Sequence, residues 1–548
     1  MYSYHRSDGF WYRLLTFIFL CVLAGFMIII YSNQRYLASR VEGFAADTQM
    51  PLFARPESYQ PEPIQVLQPW AAAQAGAKDT VVQINAQIVE YDLLEPYKTP
   101  TQGQGFGSGF IISEQGEIIT NAHVVLNAVS VWIQMPSLGK RIIDVDVVGL
   151  CPERDIALLK IQEEDRKYIV QILGKMPCLP LGNSDKVYRA DEILALGYPL
   201  AQQSLKSTTG VVSGRERIGI QKYIQMSAPI NPGSSGGPSV NRMGEVIGIN
   251  AGGIPSAQNV GYVIPINEFK LIAHDLRRVK FLRKPFLGVL HLSGSEALAR
   301  YLGNPVPSGT YVIDVYNNSL LERAGVQPGD MIYEINDYKI DMYGDMSVDW
   351  SEDKISIADY VEQLTIGQKI SLVVYRKGRR KQISLTFDQA QPTPIRIVHP
   401  LYEPLEYEVL GGMVVMPLAL NHVQILSGVV PYLRKYAEAK EQDEPALILT
   451  HIFPNSLVHR SRALPLGSII TEVNEQHVTT LDEFRAAVRQ GIKNEYLIIK
   501  THENRIAVFP CRELLTKEHQ FARDYHYTIS PFVQDLVRIL NNDKKTTT

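Results

Sequence analysis

Residues 231–240 read NPGSSGGPSV, two adjacent serines between glycines with a proline on either side. Acyl transfer through a serine needs a nucleophile, a base, an orienting carboxylate and donors for the oxyanion. One known arrangement takes those donors from the main-chain N–H of the nucleophile and of the residue two places before it. For Ser235 the second donor falls on Gly233, which has an N–H and no side chain to obstruct the turn. For Ser234 it falls on Pro232, which has no N–H. The pattern selects Ser235, with Gly233, Ser234 and Ser235 as the oxyanion segment, and Gly236 and Gly237 allow a substrate to approach the backbone closely. Taken alone, the stretch also reads as a Gly/Ser turn between two strands.

The chain holds twelve histidines as candidate bases. His123 stands in GEIITNAHVVLNA, residues 116–128, where a strand runs into a turn of small residues. A lone histidine there also reads as structural. Asp155, in CPERDIALLKI at 151–161, directly precedes an alternating apolar strand. A buried acid can fix an imidazole tautomer; the plain alternative is a turn acid at a strand entry. The order His123, Asp155, Ser235 is one of three known for this geometry, the one on a double β-barrel. The surrounding region agrees: from Thr80 to about Ile266, short Val- and Ile-rich runs alternate with Gly, Pro, Asn and Asp, the pattern of a barrel or sandwich. The first clear helical pattern is INEFKLIAHDLRRV at 266–279.

At 548 residues the chain exceeds one core and suggests about three or four domains. Its composition is that of a globular protein, and a net charge of -3 gives no footprint for nucleic acid. Four cysteines make neither a disulfide framework nor a metal spacing. Cys151 and Cys178 read either as a pair, in an oxidising compartment, or as free thiols. Residues 14–31, LLTFIFLCVLAGFMIIIY, carry no charge and reach the length of a membrane-crossing helix. No small-x-small cleavage site follows, so the segment reads as an uncleaved signal-anchor. With a short leader before it, the N-terminus is expected in the cytoplasm and the bulk outside: periplasm in a bacterium, organelle lumen in a eukaryote. An internal repeat of about 135 residues joins NSLLERAGVQPGDMIYEINDYKI, 318–340, to NSLVHRSRALPLGSIITEVNEQHVTTLDEFRAAV, 455–488.

GFGSGFII, TNAHVV, RDIALLKI, ALGYP, TTGVVSG, INPGSSGGP and GYVIPI, in this order and at compatible spacing, resemble the HtrA/Deg family of serine proteases over roughly residues 76–515. The resemblance implies a mainly β chain: a trypsin-like double β-barrel followed by two PDZ-like α+β domains, behind one N-terminal transmembrane helix. The expected divisions are a leader at 1–13, a signal-anchor at 14–32, a Pro-rich linker at 33–75, and the protease domain at 76–280. A PDZ-like domain follows at 284–390, then an atypical one with a helical insertion at 400–515, then a frayed tail at 516–548. The resemblance further implies no metal, no cofactor and no ATP, and homo-oligomers built from trimers. It implies unfolded or damaged proteins as substrates. Ser234 stands where the family usually has Asn, Ser227 where it has Asp and Pro229 where it has Ala, none of them triad positions.

By the same resemblance Ile230 and Ile254 line the primary pocket and suit small aliphatic side chains. Such a pocket separates single methylenes by only about 1–3 kcal/mol; Ile254 reads equally as loop packing. PDZ-like domains hold a terminal carboxylate on backbone N–H groups, here from Leu287, Gly288 and Val289, with GGMVVMPL at 411–418 in the corresponding place of the second copy. That second copy, with a helix expected in the insertion 421–446, reads as serving assembly rather than peptide capture. Two function classes follow. The first is an ATP-independent serine endopeptidase whose PDZ units bind peptide C-termini or mediate assembly. The second is a non-proteolytic, membrane-tethered scaffold or chaperone.

Overall fold

The computed structural model describes residues 70–546 apart from 203, 219–220, 254–258, 350–353, 389–391 and 494. The chain divides into two units, Met1–Leu67 and Gln68–Thr548, and every described residue lies in the second. The leader, the anchor expected at 14–32 and most of the linker lie outside the described residues. Among the described residues no helix is long and apolar enough to cross a membrane.

Six strands, β1 (Val81–Glu90), β2 (Thr101–Ile111), β3 (Glu117–Thr120), β4 (Ala128–Gln134), β5 (Ile143–Cys151) and β6 (Ile156–Ile161), close into a barrel in the order β1-β2-β3-β6-β5-β4. Six more, β7 (Glu192–Gly197), β8 (Lys206–Ile218), β9 (Gln221–Met226), β10 (Pro238–Val240), β11 (Val246–Gly253) and β12 (Gly261–Pro265), close a second barrel in the order β7-β8-β9-β12-β11-β10. The two circuits have the same connectivity. Closure leaves neither barrel an unpaired edge. Phe110, Ile119 and Leu158 of the first barrel meet Leu196, Tyr198, Val240 and Ile249 of the second in one buried cluster. Burying such side chains contributes about 1.5–3 kcal/mol each, so this seam is a core and not a crevice. The helix Ala71–Ala77 joins it through Ala73 and Ala77, with Trp70 just before it. The residues before Thr80 are thus partly anchored, where a linker was expected to reach residue 75.

Two further sheets follow. The first contains β13 (Val289–Ser293), β14 (Thr310–Val315), β15 (Met331–Ile335), β16 (Tyr338–Lys339), β19 (Lys369–Arg376) and β20 (Arg379–Thr386), with β17 (Asp345–Met346) and β18 (Ile355–Ser356) as a separate ribbon. Its order is β13-β14-β15-β19-β20, and a short helix Ile357–Val361 lies on it. The second contains β21 (Glu408–Leu410), β22 (Met413–Pro417), β23 (Leu447–Ile452), β24 (Ile469–Val473), β25 (Gln476–His477), β26 (Tyr496–Thr501) and β27 (Ile506–Pro510). Its order is β21-β22-β23-β24-β26-β27, with the helix Leu481–Lys493. The sequence repeat is therefore a structural one, with one extra strand at the edge of the second copy.

One expectation is corrected and two are made specific. The tail is not frayed over 518–546: helices Glu518–Asp524 and Pro531–Thr546 place Phe521, Phe532, Val533 and Leu536 in the last sheet's core. The helix expected in the insertion is Leu420–Leu426, and two 3₁₀ segments, Pro431–Ala437 and Ala439–Glu441, follow it. Of the two readings of Cys151 and Cys178, the structure has the free thiols, Cys151 buried and Cys178 exposed.

Candidate active site

The first barrel carries the candidate base and acid. After β3 the chain turns through Asn121 into a single helical turn, Ala122–Val125, held down by buried Ala122, Val124 and Val125. His123, between them, faces outward with 51% of its side chain exposed. Asp155 ends the turn Pro152–Arg154 in the left-handed region, φ 51°, just before β6. Its carboxylate accepts the His123 main-chain N–H at 2.9 Å and faces Nδ1 at 2.9 and 3.0 Å. Asn121 Nδ2 donates to the Asp155 carbonyl at 3.0 Å. The acid thus fixes both the backbone and the ring of His123, and Nε2 has no partner among the described residues. Burial alone would lower the imidazole pKa; the hydrogen bond and charge of Asp155 outweigh it and raise it.

The second barrel supplies the serine. In the turn before β10 the carbonyls of residues 231–235 are all taken. Pro232 O accepts from Leu200 N at 2.7 Å, Ser234 O from Gly237 N at 3.1 Å, and Ser235 O from Ser108 N at 2.8 Å. Gly233 O accepts from the hydroxyl of Ser108 at 2.7 Å. Two N–H groups are also used: Ser234 N donates to Asn231 O at 2.9 Å and Gly236 N to Asn250 O at 2.8 Å. Within residues 232–237 the amides of Gly233 and Ser235 alone lack an acceptor among the described residues. A planar peptide with its carbonyl held at one end has its N–H aimed the opposite way, so the bond from Leu200 directs the Gly233 amide outward. Glycine is required at 233: φ is 92°, and a Cβ there would lie 2.7 Å from Tyr198 O. Of the expected oxyanion segment, Ser234 is corrected, because its amide is spent closing the turn.

The Ser235 hydroxyl donates to Ala251 O at 3.1 Å rather than to His123. Ala251 sits at a register shift of β11 against β12, which turns its carbonyl out of the ladder. Ile230, 9% exposed, packs in the second barrel's core cluster and against Gly261. Ile254 lies outside the described residues. Leu287 is buried in the core of the first further sheet, Gly288 has φ 83° and Val289 opens β13. Among the described residues no group of three or more His, Cys, Asp or Glu side chains could hold a metal ion.

Sequence reasoning missed two participants. Ser108 is fully buried, and its hydroxyl also accepts Tyr198 N at 2.9 Å; its only signal was a serine between two glycines in a strand. Arg154, next to Asp155, is 1% exposed, pairs with Glu268 and donates to the Glu362 carbonyl at 2.5 Å. It thereby ties the acid's turn to the first further sheet. Nothing in the sequence around Arg154 signals a partner so far along the chain.

Residues 107–249 match the trypsin-like peptidase domain. The chain is 30% identical over 296 residues to a protein of Synechocystis sp. named serine protease HhoB, covering 51% of this chain and 65% of that one. It is 29% identical over 409 residues to a DegP-like periplasmic serine endoprotease of Pseudomonas fluorescens, covering 72% and 76%. Among solved structures, the HtrA-type protease AlgW with a decapeptide aligns at 27% identity and a TM-score of 0.45, over 59% of this chain and 99% of that one. The motifs, the paired barrels and these sequence relatives agree: the chain carries a trypsin-like peptidase domain and is similar to HtrA/Deg-type serine proteases.

Proposed function

We propose that the protein is an ATP-independent serine endopeptidase that cleaves unfolded or damaged polypeptides outside the cytoplasm. Ser235 attacks the scissile carbonyl, His123 Nε2 takes its proton, and Asp155 holds the ring and stabilises the imidazolium. The amides of Gly233 and Ser235 receive the oxyanion. The observation that carries this reading is the turn at 232–237, where the amides of Gly233 and Ser235 alone lack an acceptor among the described residues. A substrate strand laid along Ala251 would take that carbonyl with its own N–H and release the Ser235 hydroxyl toward His123. The two further sheets are read as PDZ-like, and the first receives a peptide C-terminus between β13 and the helix Ile357–Val361, its carboxylate on the amides of the Leu287–Gly288–Val289 loop. Assembly into trimers is read from the HtrA/Deg resemblance, and the periplasmic DegP-like relatives support an extracytoplasmic location.

The bond from Ser235 to Ala251 favours the second reading, a binder without turnover. A fluorophosphonate probe separates the two. Labelling that is lost in Ser235→Ala, together with casein hydrolysis lost in the same variant, supports the peptidase. An unlabelled Ser235 in the presence of casein, or hydrolysis equal in both proteins, refutes it.

A further inference from the structure

The two repeat sheets match closely where a peptide terminus would bind. Strands β13, β14, β15, β19 and β20 correspond to β22, β23, β24, β26 and β27. Gly288 (φ 83°) and Gly412 (φ 87°) each sit against the serine that caps the next helix: an added Cβ would lie 2.1 Å from Ser319 and 2.5 Å from Ser456. Gly288 O accepts from Tyr316 N at 3.0 Å, as Gly412 O does from Phe453 N at 2.7 Å. Gly411 is therefore the counterpart of Leu287.

At this point the copies differ. The Leu287 amide has no acceptor among the described residues, whereas Gly411 N donates to Glu518 Oε2 at 2.8 Å. Glu518 comes from the C-terminal helix Glu518–Asp524, is 0% exposed, and accepts the Tyr527 hydroxyl at 2.7 Å on its other oxygen. The sheet edges differ as well. β13 ends its sheet, with Leu290 and Leu292 exposed. β22 is covered by β21, antiparallel, with Glu408 opposite Val415 and Leu410 opposite Met413. The C-terminal end of β21 thus reaches the Gly411–Gly412 turn, the polarity with which a peptide terminus adds to such an edge. Arg485, from the helix Leu481–Lys493, bonds the buried Glu408 at 2.8 Å and closes the other wall of the groove.

We propose that β21 and the Glu518 carboxylate occupy the peptide site of the second repeat in cis, so that the chain offers one site for peptide C-termini, at β13, and the second repeat clamps residues 511–546. The proposal rests on the peptide-groove reading of the first repeat. The test titrates full-length Ser235→Ala protein with an apolar decapeptide bearing a free carboxylate, its amidated form serving as control. The expected result is one peptide per chain, with affinity falling more than tenfold when Gly288→Val is added. Two peptides per chain, or binding that Gly288→Val leaves intact, overturn the proposal while the peptide reading stands. Absence of any binding overturns the peptide reading, and a second arm then decides the proposal. In Glu518→Ala, acetate should raise the melting temperature at concentrations that leave the Ser235→Ala parent and Glu518→Gln unchanged, because it refills a carboxylate site on Gly411. No selective gain with acetate overturns the proposal.

Discussion

Replacing Ser108 by Ala removes one oxygen that touches neither His123 nor a substrate. That hydroxyl is the hydrogen-bond partner of both the Gly233 carbonyl, at 2.7 Å, and the Tyr198 amide, at 2.9 Å. Ser108 is fully buried, so no water replaces it. Each group left unpaired costs about 1–3 kcal/mol. The Gly233 carbonyl can recover its loss only by rotating its peptide, and glycine offers little steric resistance to that. Rotation carries the neighbouring amides away from the oxyanion position. Loss of one such donor is worth about 10²–10³ in kcat. A bias of about 1.4–2.8 kcal/mol toward the rotated turn lowers kcat about 10- to 100-fold. KM should stay within about twofold, because the loss falls on the transition state. The assay is steady-state cleavage of a quenched-fluorescent peptide, paired with the affinity of a peptidyl aldehyde, whose adduct uses the same donors. Aldehyde affinity should fall in parallel with kcat, while binding of the cleaved product is unchanged. A lowered melting temperature with kcat and aldehyde affinity both intact would refute the reasoning and leave Ser108 a packing residue.

Three further outcomes follow. Asp155 stabilises the imidazolium of His123 and raises its pKa above the ordinary 6.5, and the ring must be neutral to act as base; kcat/KM should therefore rise with pH through a midpoint above 6.5, and Asp155→Asn should cut kcat about 10³- to 10⁴-fold. Burial raises the Glu518 pKa from 4.5 to about 7; its stabilising contribution is complete below pH 4.5 and is lost as the pH climbs through 7, an amount of about 3 kcal/mol that Glu518→Gln should remove from the pH dependence of the melting temperature. Ending the chain at residue 515 removes Phe521, Phe532, Val533 and Leu536 from the last sheet's core, each worth about 2–5 kcal/mol; limited proteolysis should then digest residues 408–510 while the barrels persist.

The catalytic candidates were legible because their chemistry constrains the backbone as well as the side chain. Pro232 could not donate an N–H, which alone chose between Ser234 and Ser235. The barrels were legible through short apolar runs, and the duplicated sheets through the shared Asn-Ser-Leu starts. Partnerships set by burial in three dimensions were not legible. Glu518 stands in an ordinary polar stretch, and only its position beneath Gly411 makes it distinctive. The segment after residue 515 looks frayed because its apolar residues are spread among charges, yet their helical spacing turns Val533 and Leu536 to one buried side. Cys151 and Cys178 are far enough apart in sequence for either reading, and only the fold shows both thiols free, one buried and one exposed.

The seam between the barrels sets a condition on activity that neither half meets alone. Histidine and aspartate ride on one closed shell, the serine and its amides on the other, and Ser108 reaches across from the first to brace the second. Turnover therefore reports docking of the two shells rather than the folding of each. Heat, denaturant or a cut in the connection between β6 and β7 should extinguish cleavage while both shells still give the spectrum of intact β-structure.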